Sequence, residues 1–496
     1  MDEATLRQHI IMAEGKPPDS YVETRRITTS SGSDYAIREY YRGLDYRELT
    51  ESRNGSYGYG RLEGREWDQN PNGLTTIHEP PSGLERPDVR KVFITRVSQP
   101  FDAWKYEVMN ASETGTVEYI DSKTYRMLRK DEITRNGTAE TDYDDFRTFG
   151  GYTIAAHEQT NNQINRVQSQ SRLVSLEAHP VTDAEVAIPP SRPFVIFPAG
   201  QTQVDLPAEF LDAKRMQVTY FGLSQASQDL GTVAVLVRVD IGGRGVDMVL
   251  DSGSSGIVLD QNVVRDLGLR EYAQRSQVTA GRYNAANAVI PSMRVGSLEM
   301  HNVVVSSLPV SYDAETERKV VGLLGYDFIR SVGLTIDYAH KRVIAMPAGN
   351  ITPPIMTPES DILPIRVGAH VPMVTARING AVAERMMVDT GWGSDMGLFD
   401  YFSRRYPEAV APRVATPIGG RLFSGVGGKV EAKGFRLADV DVGRYRFKQF
   451  DVEQVTSYRS YEYAADGVIG VGILRRFAVT FDYAGGKMYL VHTEGQ

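Results

Sequence analysis

The sequence predicts a mainly β protein in which an antiparallel, curved-sheet N-terminal domain precedes two duplicated β-lobes. Three observations lead to this prediction: apolar and polar residues alternate in the N-terminal part, two proline-rich stretches divide the chain, and a long segment is repeated. The chain has 496 residues, of which 41% are hydrophobic and 24% are charged. This is ordinary globular composition, and the length is sufficient for about two to four domains.

Composition excludes several classes of function. The absence of Cys removes disulfides, thiol catalysis and cysteine-based zinc sites. The 8 His are scattered and form no HExxH motif, so we expect neither a metal site nor a cofactor. A formal net charge of -8, with no cluster of Lys and Arg, argues against nucleic acid as a partner.

The sequence says little about where the protein acts. No apolar run approaches the roughly 18 residues of a membrane span, so we expect no integral membrane segment. The opening residues, MDEATLRQHIIMAEG, have neither the basic head nor the apolar core of a signal peptide. Two possibilities stay open: a periplasmic or secreted protein whose leader was removed earlier, or a cytoplasmic protein.

Two proline-rich stretches are interpreted as linkers, because proline cannot donate a backbone hydrogen bond to a strand ladder or a helix interior. The first is AIPPSRPFVIFPAGQTQVDLP and the second is MPAGNITPPIMTPESDILP. They divide the chain into three predicted domains, residues 1–205, 206–350 and 360–496.

The N-terminal region opens with a helical pattern near residues 4–14 and then becomes polar and rich in Tyr. The stretch TVEYIDSKTYRMLRKDEITRNGTAETDYDDF alternates apolar and polar residues around two turn signals, Asp121-Ser122-Lys123 and Asn136-Gly137. This pattern predicts successive antiparallel strands in an open sheet. Trp67 and the tyrosines of this region are interpreted as half-buried aromatic residues of that sheet.

The second and third regions repeat one another. GLLGYDFIRSVGLTIDYAHKRVIAM from Gly322 matches GVIGVGILRRFAVTFDYAGGKMYLV from Gly467 at an offset of 145. Further upstream, MVLD from Met248 matches MMVD from Met386 at an offset of 138. The matching blocks together extend over a whole domain, which is far longer than the unit of a solenoid, so they indicate a duplicated domain.

Each copy contains an Asp-hydroxyl-Gly tripeptide after an apolar run, Asp251-Ser252-Gly253 in one and Asp389-Thr390-Gly391 in the other. Each tripeptide is followed by an apolar-apolar-Gly step, which ends at Gly325 in the first copy and at Gly470 in the second. These residues resemble the pepsin and retropepsin superfamily of aspartic proteases, including bacterial aspartyl proteases with two retropepsin-like lobes. The resemblance covers residues 232–350 and 365–496.

This resemblance implies a bilobal aspartic endopeptidase that acts on a peptide or protein substrate, with Asp251 and Asp389 as the catalytic pair. Two carboxyls held together cannot both ionise, so they share a proton, and one can activate water while the other polarises the scissile carbonyl. Ser252 and Thr390 would hydrogen-bond between the loops, and Gly253 and Gly391 would let the two backbones approach. Because both copies lie in one chain, we expect a monomer in which the lobes form an internal pseudo-dimer.

Two further groups of residues are assigned to the site. The stretches TAGRYNAAN and GGRLFSGVGGK are interpreted as substrate-covering hairpins, with Tyr283 and Phe423 as their aromatic residues. The residue after each Asp-hydroxyl-Gly differs between the copies: Ser254 supports the first loop, whereas Trp392 departs from the Ser, Thr or Ala that the family usually has. The indole could remove a hydrogen bond to Asp389, fill a substrate subsite, or mark a lobe that no longer catalyses.

The stretches GREWDQNPNGLTT and YIDSKTYRMLRKDE in the N-terminal region resemble the curved-sheet, lipoprotein-carrier-like (LolA-like) domain. This resemblance rests on pattern and implies the open antiparallel sheet already predicted.

Two alternatives to the endopeptidase stay open. The chain could be a catalytically degenerate peptide-binding or envelope-assembly protein that keeps the protease fold. Each lobe could also pair with another chain and not with its neighbour. Asp337-Tyr338 and Asp482-Tyr483 recur as faithfully as the active loops, but their place after a strand favours a role in turns.

Overall fold

The computed structural model describes residues 1–52, 55–78, 91–109, 115–134, 137–192, 194–212, 220–221, 232–278, 282–310, 319–349, 351–411, 415–425, 428–455 and 465–493. The chain forms two compact units. The first comprises Met1–Ser191 and Tyr272–Gln277, and the second comprises Arg192–Glu271 and Val278–Gln496. Strands dominate both units, so the predicted mainly β class is confirmed.

The first unit is built on a 13-stranded antiparallel sheet. Its strands are β1 (Ser20–Thr29), β2 (Asp34–Arg42), β3 (Asp45–Ser52), β4 (Gly55–Leu62), β5 (Arg65–Gln69), β6 (Thr75–His78), β7 (Lys91–Val97), β8 (Ala103–Met109), β9 (Gly115–Asp121), β10 (Met127–Thr134), β11 (Gly137–Phe149), β12 (Tyr152–Asn162) and β13 (Val167–Ala178). The order across the sheet is β6-β5-β4-β3-β2-β1-β13-β12-β11-β10-β9-β8-β7. Strands that follow one another in the chain are neighbours in the sheet, with one exception: β6 and β7 form its two edges, and β1 pairs with β13 at its centre.

Two helices belong to this unit, α1 (Glu3–Glu14) and α2 (Asp183–Val186). The predicted helix at residues 4–14 is α1, which begins at Asp2, whose carboxylate accepts a hydrogen bond from the Thr5 backbone N–H. Leu6 and Ile10 are buried against Tyr106 and Ile120 of the sheet. The helix is thus held by one apolar stripe.

Local sequence chemistry explains one predicted turn and the place of Trp67. Asp121 Oδ1 accepts the backbone N–H groups of Lys123 and Thr124 at 2.9 and 2.6 Å, which closes the β9–β10 turn. The second turn signal includes Asn136, which lies outside the described residues. Trp67 is buried with 1% of its surface exposed, so it is a core residue of the sheet and not a half-buried one.

The second unit contributes two runs of strands. The first run is β14 (Val204–Leu206), β15 (Ala208–Asp212), β16 (Tyr220–Phe221), β17 (Thr232–Ile241), β18 (Arg244–Leu250), β19 (Ile257–Asp260), β21 (Arg282–Val295), β22 (Leu298–Leu308), β23 (Val320–Leu324), β24 (Val332–Asp337) and β25 (Arg342–Pro347). The strand between β19 and β21, β20 (Tyr272–Val278), falls within the first unit except for its last residue. The second run is β26 (Asp361–Pro364), β27 (Arg366–Gly368), β28 (Val371–Ile378), β29 (Ala381–Val388), β30 (Met396–Phe399), β31 (Ala415–Gly425), β32 (Gly428–Val442), β33 (Tyr445–Val455), β34 (Gly467–Ile469), β35 (Phe477–Asp482) and β36 (Lys487–His492).

Short helices connect some of these strands: α3 (Gln261–Asp266), α4 (Tyr326–Arg330), α5 (Asp400–Arg405), a 3-10 helix (Pro407–Val410) and α6 (Val471–Leu474). The connection from α5 to β31 spans residues 406–414, whereas that from α3 to β20 spans residues 267–271. Extra residues of the later copy thus lie before the hairpin β31–β32.

Two sheets of this region have corresponding strand orders. The eight-stranded sheet is ordered β15-β17-β18-β23-β19-β22-β21-β20. Read from its far end, the nine-stranded sheet is ordered β27-β28-β29-β34-β30-β33-β32-β31-β16. In both sheets the strand before an Asp-hydroxyl-Gly tripeptide pairs in parallel with the apolar strand of the following Gly step.

A six-stranded sheet, β14-β25-β24-β35-β36-β26, joins strands from both copies. At its centre Thr335 faces Thr480, and their hydroxyl oxygens lie 2.8 Å apart. Its outer strands, β14 and β26, come from the two proline-rich stretches, so the interpretation of those stretches as linkers is wrong at these residues. An edge strand uses one side of its backbone, and the missing N–H of Pro364 is therefore tolerated there.

Candidate active site

The two Asp-hydroxyl-Gly loops begin where buried apolar strands end. β18 leads into Asp251 and β29 leads into Asp389. The backbone N–H of Asp251 donates to Leu324 O at 3.1 Å, and that of Asp389 donates to Ile469 O at 3.0 Å. The parallel pairing of β18 with β23, and of β29 with β34, thus extends by one residue into each loop. This backbone hydrogen bond fixes each Asp to the apolar strand that ends at the Gly step.

The hydroxyls of Ser252 and Thr390 join the two loops to each other. Ser252 N–H donates to Thr390 Oγ1 at 2.9 Å, and Thr390 N–H donates to Ser252 Oγ at 3.0 Å. Ser252 Oγ in turn donates to Val388 O, and Thr390 Oγ1 donates to Leu250 O, both at 2.7 Å. Both side chains are fully buried, so these four bonds form in the absence of solvent.

The two carboxyl groups lie beside each other between these loops, close enough for each to shift the pKa of the other. Asp251 Oδ1 accepts from Gly253 N–H at 2.9 Å, and Asp389 Oδ1 accepts from Gly391 N–H at 2.7 Å. A Cβ added to Gly253 would lie 2.6 Å from Asp389 Oδ1, and one added to Gly391 would lie 2.8 Å from Asp251 Oδ1. Glycine is required at both positions because each backbone abuts the carboxyl of the other loop.

The pair holds its protons more tightly than ordinary carboxyls. Burial, followed by the charge of Asp389 and the hydrogen bond to it, raises the pKa of Asp251 well above its usual value. Burial also raises the pKa of Asp389, but the hydrogen bonds that it accepts, from Gly391 N–H and from Asp251, oppose this rise. The arrangement therefore favours one proton shared by the two carboxyls.

Trp392 packs its indole against apolar residues. Its backbone N–H donates to Asp389 O at 3.2 Å, as Ser254 N–H does to Asp251 O. The half-buried indole lies against a buried apolar cluster that includes Met387 and Val468. A Cβ on Gly397 would lie 2.9 Å from Trp392 Cζ2, so glycine at 397 makes room for the ring.

Comparison with the first loop shows that the indole displaces no hydrogen bond to its Asp. Ser254 Oγ donates to Gly256 O at 2.9 Å, within its own loop. A serine hydroxyl at this position therefore does not bind the carboxyl of Asp251, and Trp392 lacks nothing that Ser254 provides to its Asp.

The two predicted hairpin aromatics have different outcomes. Tyr283 lies in β21, half-buried, and packs against the apolar cluster that contains Ala285 and Leu323. The backbone of Phe423 lies in β31 opposite Val430 of β32, but its side chain lies outside the described part of the chain. The hairpin tips at residues 279–281 and 426–427 are likewise outside it.

The recurrent Asp337 and Asp482 form turns. Asp337 Oδ1 accepts from His340 N–H at 3.2 Å, and Asp482 Oδ1 accepts from Gly485 N–H at 2.8 Å. Both side chains are buried, with 2% and 3% of their surface exposed. Their carboxylates therefore close the β24–β25 and β35–β36 connections.

The tyrosines that follow these residues were not assigned to the site from the sequence. Tyr338 and Tyr483 are buried, and their hydroxyls have no hydrogen-bond partner among the described residues. Burial raises the pKa of both phenols, and a smaller contribution comes from Asp389 for Tyr338 and from Asp251 for Tyr483. The charge of the Asp in one copy thus influences the pKa of the phenol in the other copy. The recurrence of Asp-Tyr in both copies is the sequence feature that could have pointed to these tyrosines.

Within the described residues, no group of three or more His, Cys, Asp or Glu is placed to hold a metal ion. No helix in the described ranges is both long and apolar enough to cross a membrane.

A model of the aspartyl protease family matches residues 237–328, which include Asp251 and the Gly325 step. This part of the chain is an aspartyl protease-like region. The search of curated proteins gives no match.

Solved structures similar to part of the chain include a LolA superfamily protein from Nitrosomonas europaea, with 10% identity and a TM-score of 0.30 over 38% of this chain and 98% of that one. A DUF1329 family protein from Desulfovibrio piger has 11% identity and a TM-score of 0.30, over 37% of this chain and 96% of that one. An outer membrane lipoprotein-sorting protein domain from Vibrio parahaemolyticus has 11% identity and a TM-score of 0.29, over 37% and 94%.

Proposed function

We propose that this protein is an aspartic endopeptidase whose catalytic pair is Asp251 and Asp389, contributed by two duplicated lobes. The observation that carries the proposal is the convergence of the two loops at the ends of corresponding strands: each carboxyl lies against the glycine of the other loop, and the hydroxyls of Ser252 and Thr390 join the loops. The match of the aspartyl protease model to residues 237–328 supports the same assignment.

The charge state of the pair suggests a role for each carboxyl. The carboxyl that is ionised would take a proton from a water bound between the two groups. The other carboxyl, which holds the shared proton, would donate a hydrogen bond to the scissile carbonyl and so stabilise the charge that develops on its oxygen. The water oxygen adds to the carbonyl carbon to give a tetrahedral intermediate, the proton taken from the water passes to the peptide nitrogen, and the C–N bond then breaks to release an amine and a carboxylic acid.

These acid and base roles require that the two carboxyls together carry one proton. Activity should therefore fall at low pH, where both carboxyls are protonated, and at high pH, where both ionise. The proposal also places both halves of the site in one chain, since the loop-joining bonds of Ser252 and Thr390 are made within it. We therefore propose that the active species is a monomer, which a mass measurement in solution would test.

The test is cleavage of an unstructured peptide library by the full chain and by two variants, Asp251→Asn and Asp389→Asn. Each amide keeps the size of the side chain but cannot share the proton, so cleavage should fall by about 10³-fold or more, to the background rate. A statine-type transition-state mimic should inhibit the unmodified protein. Asp266→Asn is the matched control, because Asp266 is an exposed residue at the end of α3.

Two outcomes would contradict the proposal. One is that Asp251→Asn or Asp389→Asn cleaves the peptides as fast as both the unmodified protein and the Asp266→Asn control. The other is a peptide that binds to the unmodified protein but survives prolonged incubation from acidic to neutral pH, which would favour a non-catalytic peptide-binding protein.

A further inference from the structure

Three glutamates form a row across adjacent strands of the 13-stranded sheet. Glu23 of β1 is paired directly with Glu39 of β2, and Glu39 is paired directly with Glu48 of β3. Directly opposite residues have Cβ atoms about 4.5–5.5 Å apart on the same face, and like charges in such pairs are destabilising. We call these three residues the carboxylate row.

The carboxylate row is screened from water. Glu23 and Glu48 have 7% and 8% of their surface exposed, and Glu39 is half-buried between them. Carboxylates are rarely buried without a partner, because desolvation of a charge costs several kcal/mol. The row therefore needs cations, hydrogen-bond donors or protons.

The donors around the row are distributed unevenly. Arg25 binds Glu23 through Nε and binds Glu158 of β12 through a guanidinium nitrogen at 2.8 Å. Glu39, at the centre, accepts a hydrogen bond from the Tyr41 hydroxyl at 3.0 Å. The guanidinium contacts lie at the Glu23 end, and the central carboxyl is held by a neutral donor.

Titratable groups on β1 to β4 interact with Glu39. They are Tyr21, Glu23 and Arg25 of β1, Tyr41 of β2, Tyr46 and Glu48 of β3, and Tyr59 of β4. Glu158 of β12 is linked to the row through Arg25.

We propose that the carboxylate row is a pH-responsive element that keeps strands β1–β3 closed when Glu39 is protonated and loosens them when Glu39 ionises. A protonated Glu39 places one neutral group between two carboxyls. An ionised Glu39 adds a like charge directly opposite both of them, and opening of the strands relieves that repulsion by admitting water.

The pH range follows from the environment of Glu39. Burial, followed by the charges of Glu23 and Glu48, raises its pKa to about 7 from the ordinary value of 4.5. A raised carboxyl pKa stabilises the closed state below the ordinary value, and this stabilisation is lost as the pH rises towards 7. For one proton, the equilibrium constant for opening should increase by about tenfold per pH unit in this range and level off above pH 7.

Hydrogen exchange of the full chain, read by mass spectrometry at several pH values and corrected for intrinsic exchange rates, measures that constant. Peptides from Ser20–Ser52 should show opening that increases on the order of a hundredfold from pH 5 to pH 7. In Glu39→Gln most of the dependence should disappear, because the amide still accepts from Tyr41 but does not titrate; Glu48 and Glu158, whose pKa values burial also raises, should keep a smaller part of it. Glu177→Gln is the control, since Glu177 is an exposed residue of β13 opposite Val22.

A second variant separates titration from a structural role. The Tyr41 hydroxyl bond lowers the pKa of Glu39, so Tyr41→Phe should raise it and move the levelling-off to higher pH. The proposal is overturned if opening of Ser20–Ser52 is independent of pH between 5 and 7, or if Glu39→Gln keeps the dependence of the unmodified protein. An unmoved levelling-off in Tyr41→Phe would also overturn it.

Discussion

At the scale of single residues, Ser252 and Thr390 do more than any other pair to hold the two Asp loops together. Each hydroxyl accepts one backbone N–H from the other loop and donates to a carbonyl of the strand that precedes the other loop. Because both side chains are fully buried, water cannot replace a bond that is lost.

Ser252→Ala should therefore destabilise the fold without abolishing peptide cleavage. It leaves the Thr390 N–H and the Val388 C=O buried and unpaired, which should lower the free energy of unfolding by about 2–4 kcal/mol. Urea unfolding of the full chain measures this. Ser254→Ala is the comparison, with an expected loss of about 1 kcal/mol, because that hydroxyl bonds within its own half-buried loop.

Equal stability of Ser252→Ala and the unmodified protein would show that the cross-loop bonds contribute nothing. Complete loss of cleavage in a folded Ser252→Ala would show that the hydroxyl takes part in the reaction itself.

At the scale of elements, the eight-stranded and nine-stranded sheets fill the space beside the residue after each Asp-hydroxyl-Gly tripeptide with different pairs of side chains. Val258 of β19 is paired with Leu323, and Gly397 of β30 is paired with Val468, so Val258 and Gly397 occupy corresponding positions. In one sheet a small Ser254 accompanies Val258. In the other the large Trp392 accompanies Gly397, and the indole occupies the space next to the missing side chain.

This exchange predicts coupling between positions 392 and 397. Trp392→Ser should cost about 3 kcal/mol through the cavity that it leaves. Gly397→Val should also destabilise, because its Cβ would meet Trp392 Cζ2 at 2.9 Å. The double variant recreates the Ser254–Val258 pair and should be more stable than the sum of the single effects by about 1–3 kcal/mol.

A double-mutant cycle of urea unfolding measures the coupling, and Glu177→Gln serves as an unrelated surface control. Strict additivity of Trp392→Ser and Gly397→Val would mean that the indole does not fill the volume beside Gly397.

At the scale of the whole molecule, the carboxyl groups with raised pKa values are those that the fold buries. Burial raises the pKa of Glu14, Glu39, Glu48, Asp131 and Glu158 in the first unit and of Asp251, Asp389 and Asp466 in the second. A group of this kind binds its proton more tightly in the folded chain than in the unfolded chain. The free energy of unfolding is therefore highest below the ordinary carboxyl pKa values. It decreases as the pH rises from those values through the raised pKa values of the folded chain.

The midpoint of thermal unfolding should accordingly be higher at pH 5 than at pH 8. Glu39→Gln and Asp251→Asn should each reduce the difference, since each removes one group that must ionise while buried. Differential scanning calorimetry at the two pH values measures this, with Asp266→Asn as the control. An equal or higher midpoint at pH 8 would contradict the assignment of these groups.

Much of the architecture could be predicted from the sequence because it depends on short-range patterns. Alternation of apolar and polar residues indicated the strands of the first unit, and a helical pattern near residues 4–14 indicated α1. The recurrence of Asp-hydroxyl-Gly and of the Gly step identified Asp251 and Asp389 as the residues to follow. Proline composition misled, because it does not show that a strand lies at the edge of a sheet.

By itself, then, the sequence determined the mainly β class and the identity of the two Asp loops, since periodicity and repetition are properties of the chain. Only the tertiary structure decided that the carboxyls of Asp251 and Asp389 lie side by side, that Trp392 packs beside Gly397, and that Glu23, Glu39 and Glu48 stand in a row. The Asp251–Asp389 contact and the row of glutamates join residues that lie far apart in the chain or on separate strands, and the Trp392–Gly397 contact depends on the path of the loop that joins β29 to β30. Strand register and sheet assembly bring them together, and local sequence patterns do not specify either one.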